Sequence, residues 1–280
     1  MKKMLLLFLA FAVVVVTAPL VAMNLSVMSN RTTVSVMLSS GYIEELEVED
    51  YVLRALAARE SEVVALEAKK AFAVTVRSMC MYFITFGCKH NEFDCCDDGD
   101  CCIDLAPIAN ASEGTLNAVH ETEGQYLELD GAPAMALFTL CASCGTRQSA
   151  EFPYLVPIDT GERCDIHKTE KEFTAKEVSS IFPEIKDDLK FYAVYDESEK
   201  LDFAILNNRR LDGELLVTAL GMKSVEMTID GIEDGIRVTS YGVGHGMGLD
   251  LCNAERLANG GAYYKKILEF YFPLLKIKEK

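Results

Sequence analysis

The stretch LEVEDYVLRALAARESEVVALEAKKAFAVTVRSM, residues 46–79, places Leu46, Val48, Tyr51, Val52, Ala55 and Leu56 at helical spacing. A polar break at Ser61-Glu62 follows. From Val64 a second helix is expected, on which Leu66, Lys69/Lys70, Phe72/Ala73, Val76, Cys80 and Phe83 recur every three or four positions. An apolar face of that length has to pack on a core, so the two helices should form the body of the domain. Where the first helix ends, a cation and a carboxylate stand side by side, Arg59 and Glu60.

Outward from this pair of helices the pattern is mixed. Residues 32–37 alternate and read as a strand, while residues 87–113 read as a loop broken by Gly99 and Pro107. A short helix is expected over 115–121. The segment GQYLELDGAPAMALFTL reads as a hairpin turning at Asp130-Gly131. Residues 165–189 read as polar helix. Beyond Lys190, FYAVYD, LDFAIL, ELLVTAL, SVEMTID and GIRVTSYG alternate as antiparallel strands, and AERLANGGAYYKKILEFYF returns to helical spacing. Helices followed by strands in one chain predict an α+β fold, a single domain with helices followed by antiparallel strands.

The first residues, MKKMLLLFLAFAVVVVTAPLVAM, carry Lys2 and Lys3 and then no charge from Met4 to Met23. An uncharged run of this length can span a hydrocarbon core of about 30 Å, whereas a cleavable signal peptide has a shorter apolar core. The expected division is residues 1–24 as an N-terminal membrane anchor (or signal peptide), 25–34 as a short linker and 35–280 as an extracytoplasmic domain. Such a chain is single-pass in the cell membrane, with Lys2 and Lys3 on the cytoplasmic side. Half of the residues are apolar and the net charge is −16, which excludes disorder on composition and argues against nucleic acid as a partner.

The ten cysteines are unevenly spread. Cys88, Cys95, Cys96, Cys101 and Cys102 crowd around His90, and Cys141 and Cys144 form a CxxC pair. Exported proteins use cysteines for disulfides, but adjacent cysteines rarely bridge each other, so a metal site competes with disulfides in the first cluster. Cys141 and Cys144 are open to a disulfide or a metal. His120 and His167 have no motif around them and read as surface residues.

Three segments together resemble the stage II sporulation protein D family of peptidoglycan lytic transglycosylases and amidase enhancers. SYGVGHGMGLDLCNAERLANGGAYYKKILEFYF is similar to the family's C-terminal signature, a glycine-rich turn around a histidine followed by a helix. The segment ALGMKSVEMTI is similar to the strand before that signature, and residues 46–79 are similar to the N-terminal signature. The resemblance covers roughly residues 35–275 and implies a sporulation protein that cleaves septal glycan strands to 1,6-anhydro products during engulfment. Its implied partners are the glycan strands, a cell-wall amidase and a membrane recruiting protein.

In that chemistry one carboxyl protonates the glycosidic oxygen and then takes the proton from the sugar's 6-hydroxyl, so it needs a raised pKa. The ungapped match puts the family's catalytic Glu on Arg59. Glu60, one position on, is then the expected catalytic carboxylate, provided the helix end unwinds to bring it round. The alternative is a glycan-binding scaffold or amidase enhancer without that acid. The resemblance further implies structural zinc on His90, Cys96, Cys101 and Cys102, with Cys88 and Cys95 as spare thiols. It implies substrate contacts from Ser143 and Gly145 in a loop after the hairpin, and from His245. A zinc hydrolase is a third reading, but four protein ligands would close the metal.

Overall fold

The computed structural model describes residues 33–99, 101–161, 167–184, 189–195 and 200–279. The expected anchor, residues 1–24, and all but the last two residues of the linker lie outside them. Among the described residues no helix is long and apolar enough to cross a membrane. The fold is α+β, with most strand pairs antiparallel.

The chain enters through β1 (Thr33–Met37), which pairs antiparallel with β2 (Ile43–Glu47), and runs directly into α1 (Val48–Ala57). Glu49 and Asp50 in the first turn of α1 favour its positive end. A turn over 58–65 leads to α2 (Leu66–Phe86), which is buried on almost every side and ends where Gly87 turns left-handed, at φ 78°. A helix covered all round is the centre of a core. Arg77 is fully buried on it, its Nε and Nη2 donating to Glu49 at 2.9 and 2.6 Å and its Nη1 to the Gln125 carbonyl at 2.9 Å. Those bonds satisfy a charge that would otherwise be very costly inside the protein.

A two-residue strand, β3 (Cys95–Cys96), then pairs parallel with β1. It is followed by a 3-10 turn (Ile108–Asn110) and by α3 (Glu113–Glu121), whose N-cap Ser112 accepts the Thr115 N–H at 3.3 Å. The hairpin appears as β4 (Tyr126–Leu129) and β5 (Ala132–Pro133), with Asp130 and Gly131 both at positive φ as its tight turn requires. It is shorter than its alternation suggests. The next strand, β6 (Phe138–Thr139), leaves the hairpin for a C-terminal partner.

A second lobe follows. It contains β7 (Thr169–Thr174), α4 (Ala175–Ile181), β8 (Phe191–Tyr195), β9 (Leu201–Leu206), β10 (Arg209–Asp212), α5 (Gly213–Ala219), β11 (Met227–Ile232) and β12 (Gly235–Ser240). Its strands form two antiparallel sheets, ordered β10-β9-β8 and β11-β12-β7. They enclose a separate core around Leu201, Leu206, Leu211, Leu216 and Val238. The chain then returns to the body through β13 (Leu249–Asp250), parallel to β6, and through α6 (Leu251–Asn259) and α7 (Tyr264–Tyr271). Finally β14 (Lys276–Lys278) pairs with β4. Ile267, Leu268, Tyr271 and Phe272 complete the core around Phe72 and Ile84.

Two elements differ from the sequence pattern. The polar segment 165–189, expected as helix, contains strand β7 before α4. At the edge of its sheet β7 faces β12 with charges, Glu172 against Arg237 at 2.7 Å, so apolar alternation is absent where pairing is not. ELLVTAL, expected as a strand, lies almost wholly in α5, whose Leu216 packs inward with Leu220 just beyond the helix. Four-residue spacing won over alternation there.

Candidate functional site

A cleft of about 780 Å³ opens between two walls of the body, with Met79, Tyr82 and Phe83 of α2 at its base. The first wall is the turn after α1 and the end of the cysteine-rich loop. The second is the segment around β6 and the glycine-rich turn before β13. A cleft of this size suits an extended small-molecule or oligosaccharide segment.

On the first wall, Arg59 lines the cleft and its Nη2 lies 2.5 Å from Asp104 Oδ2. Asp104 Oδ1 also accepts the Gly99 N–H at 2.8 Å. Glu60 is turned elsewhere. Its carboxylate is ion-paired with Lys69, a side chain only 5% exposed. It also accepts from Ser112 Oγ at 2.7 Å, Thr115 Oγ1 at 2.6 Å and the Ser112 N–H at 3.2 Å. Partial burial pushes the Glu60 carboxyl up, but the donors from Lys69, Ser112 and Thr115 more than reverse this and hold it at about 2. Glu60 thus ties the end of α1 to α2 and to the N-terminus of α3. The helix end has not unwound to bring it into the cleft, and a carboxyl at about 2 carries no proton to donate near neutrality.

The second wall is built mainly by backbone. Thr139 Oγ1 donates to the Val243 carbonyl at 3.0 Å and accepts the Gly246 N–H at 3.2 Å, joining β6 to the turn. Gly248 has φ 73°, and a Cβ there would lie 1.9 Å from the Leu137 carbonyl oxygen, so only glycine fits where β13 closes on β6. His245 lines the cleft. Its Nδ1 accepts the Met247 N–H at 3.1 Å, and burial, with the Arg147 guanidinium nearby, lowers its pKa to about 4. The ring is therefore neutral, with its proton on Nε2, ready to donate to a hydroxyl.

Ser143 and Gly145 are buried and do not line this cleft. Ser143 stands at φ 53°, and a Cβ on Gly145 would meet the Ile158 carbonyl oxygen at 2.3 Å. They shape the loop behind the wall, whereas Thr139 and His245 line the cleft itself. Asp104, Tyr82, Thr139 and Glu151 were not singled out in the sequence. The position of Asp104 two residues after Cys102 was the one available signal.

At the far end of the first wall, donor atoms of His90, Cys96, Cys101 and Cys102 all lie within 4.8 Å of one another. His90 Nε2 is 3.0 Å from Cys101 Sγ, and the two adjacent sulfurs are 3.7 Å apart. A tetrahedral zinc with Zn–S bonds of about 2.3 Å spaces its sulfurs by about 3.8 Å, so this donor set fits a closed structural zinc. Adjacent cysteines both reach the centre because the N–H groups of Cys101 and Cys102 both bond the Asp98 carbonyl, at 3.0 and 2.7 Å, in one tight turn.

β3 explains why the neighbouring thiols stay out. Successive strand residues face opposite sides, so Cys96 turns to the cluster and Cys95 into the core against Tyr51. Cys88 Sγ instead accepts the His90 N–H at 3.2 Å and steadies the ligand loop. None of these five loop cysteines is in a disulfide. Burial holds the Cys96 thiol up at about 11, a cost that a bound dication would remove. Nor do Cys141 and Cys144 pair as CxxC: Cys144 donates to Glu226 Oε1 at 3.2 Å, while Cys141 faces Cys252. His120 is exposed, as its lack of a motif suggested.

Comparison with known proteins gives a consistent picture. The profile of a family described as "Stage II sporulation protein" matches residues 39–128, which hold α1, α2, α3 and the cysteine loop. The chain is 26% identical over 174 residues to "Stage II sporulation protein D" of Bacillus subtilis, covering 58% of this chain and 50% of that protein. It is 27% identical over 256 residues to an uncharacterised protein of Brachyspira hyodysenteriae, covering 82% of this chain and 66% of that protein. The chain thus spans less than two thirds of the length of either relative.

Proposed function

From the match of residues 39–128 to the family described as "Stage II sporulation protein", we propose a sporulation cell-wall protein whose cleft holds peptidoglycan glycan strands without cleaving them. The observation that carries this reading is the exchange at the end of α1. The residue matching the family's catalytic Glu is Arg59, a permanent cation paired to Asp104 in the cleft, and Glu60 is bonded away from it. A general acid requires a carboxyl that is protonated at working pH. Asp104 is tied up in its ion pair with Arg59, and Glu60 sits near 2.

What remains suits sugar. Tyr82 and Phe152 offer aromatic faces in the cleft, while His245 offers a polar edge. Zinc on His90, Cys96, Cys101 and Cys102 would order the loop that carries Asp104, as a structural ion with four protein ligands. On this reading the protein acts as a scaffold or enhancer for a cell-wall amidase, alongside a membrane recruiting protein, with residues 1–24 as its anchor and 35–280 as the extracytoplasmic domain.

The second reading, a lytic transglycosylase, is favoured by the carboxylates that do face the cleft, Asp104 and Glu151. The test is incubation of the purified protein with denuded glycan strands, measuring strand binding and 1,6-anhydro product by mass spectrometry. Binding without product is the expected result, and Arg59→Glu should then gain activity. It would set a second carboxyl beside Asp104, and two like charges raise each other's pKa towards that of a usable acid. Anhydro product from the wild type, lost in Asp104→Asn, would overturn the scaffold reading.

A further inference from the structure

A second cluster of soft donors lies behind the other wall. Donor atoms of Cys141, His167 and Cys252 all fall within 4.8 Å of one another, and His167 Nε2 is 3.6 Å from Cys252 Sγ. The three residues come from remote parts of the chain. Cys141 follows β6, His167 precedes β7 of the second lobe, and Cys252 is the second residue of α6.

Main-chain bonds set the two cysteines in place. The Cys141 N–H donates to the Val243 carbonyl at 3.1 Å and its own carbonyl accepts the Val243 N–H at 2.9 Å. The Cys252 N–H donates to the Leu140 carbonyl at 3.0 Å, continuing the parallel β6–β13 pairing. Cys141 is 1% exposed, and the other two ligands are partly buried.

We propose that Cys141, His167 and Cys252 bind a second thiophilic divalent cation, of the zinc class. Two thiolates and one imidazole are the donor set that selects zinc over calcium, magnesium or manganese. Among the described residues the cluster supplies three protein ligands, one fewer than the cluster in the first wall. Because His167 stands where the second lobe begins, the ion fastens that lobe to the glycine-rich wall of the cleft. The site is independent of the glycan reading, since metal content is measured without substrate.

The test is zinc content of the full chain, purified without chelator or reductant and compared with variants at each cluster. The wild type should carry two equivalents. Cys252→Ser and His167→Ala should each carry one, Cys96→Ser one, and the Cys96→Ser/Cys252→Ser double variant almost none. His167 is partly exposed, so His167→Ala checks the assignment where a buried cysteine change disturbs folding. Cobalt loaded into Cys96→Ser supplies a second readout. Thiolate-to-cobalt charge transfer should be present there and absent after Cys252→Ser is added. One equivalent in the wild type that Cys252→Ser leaves unchanged would overturn the proposal, as would a Cys141–Cys252 disulfide found by mass mapping.

Discussion

The two walls of the cleft are each backed by a cluster of cysteine and histidine, and they are built in opposite ways. The first wall takes its four donors from one short loop, His90 to Cys102, set by a two-residue strand and a single tight turn. The second takes three donors from positions 26 to 111 residues apart, its two cysteines set by the pairing of β6 with β13 and of Cys141 with Val243. The first wall is charged and fastened by ion pairs, Arg59 to Asp104 and Glu60 to Lys69. The second is fastened by glycines and main-chain bonds. With the proposed zinc in place, a local wall depends on its metal and its charges, whereas a dispersed wall depends on the packing of the whole body.

The sharpest break should come from the local metal. Cys96→Ser should lose the loop's zinc and open residues 88–105 to protease, with a stability loss of about 4 kcal/mol where free zinc exceeds the dissociation constant about 1,000-fold. Denaturant unfolding with and without zinc measures it, and equal curves for variant and wild type would show that the loop holds without metal. Gly248→Ala tests the other wall. A methyl at left-handed φ against the Leu137 carbonyl should cost about 3 kcal/mol and weaken the β6–β13 pairing while leaving the loop's zinc in place. Loss of that zinc would mean the walls are not separable.

Glu60→Gln should cost about 2–3 kcal/mol, because it leaves Lys69 inside the protein without its counter-charge. The carboxyl's folded pKa lies below its unfolded value. Its stabilisation is therefore complete above the unfolded pKa, near 4.5, and lost as pH falls through about 2. Urea midpoints of wild type and variant should stay apart down to about pH 4.5 and converge below it. A difference that persists unchanged at pH 2 would remove the ion pair as its cause.

The smallest effect is expected at His245. Replacing it with Ala should weaken glycan-strand binding roughly tenfold, as for one lost hydrogen bond, without altering either metal. With a pKa near 4 the ring is neutral through the physiological range, so wild-type affinity should be flat from pH 6 to 8. A rise in affinity on acidification through pH 6.5 would show a protonated His245 instead.

Much of the body was legible. The helical spacing of residues 48–79 and 254–272 and the turn at Asp130-Gly131 match the elements found, since 3.6-residue periodicity and turn chemistry are local properties, while Leu46, read with the first helix, lies in β2. The loop cluster was legible for the same reason, as its ligands are close in sequence. The second lobe was read less well. Strand β7 hides its pairing in cross-strand charges, and α5 has a sequence that alternates as readily as it spirals. His167 looked like a surface residue because its neighbours in space, Cys141 and Cys252, are not its neighbours in sequence.

The sequence by itself determined the α+β class, the helical core, the loop donors and the Arg59-Glu60 pair at the end of the first helix. Only the tertiary structure decided which way Arg59 and Glu60 face. One residue's advance rotates a helical side chain by about 100°, and the direction each takes depends on which partners wait there. For Glu60 these are Lys69, Ser112 and Thr115, and for Arg59 it is Asp104. Those partners lie 9 to 55 residues away, and packing alone brings them into reach.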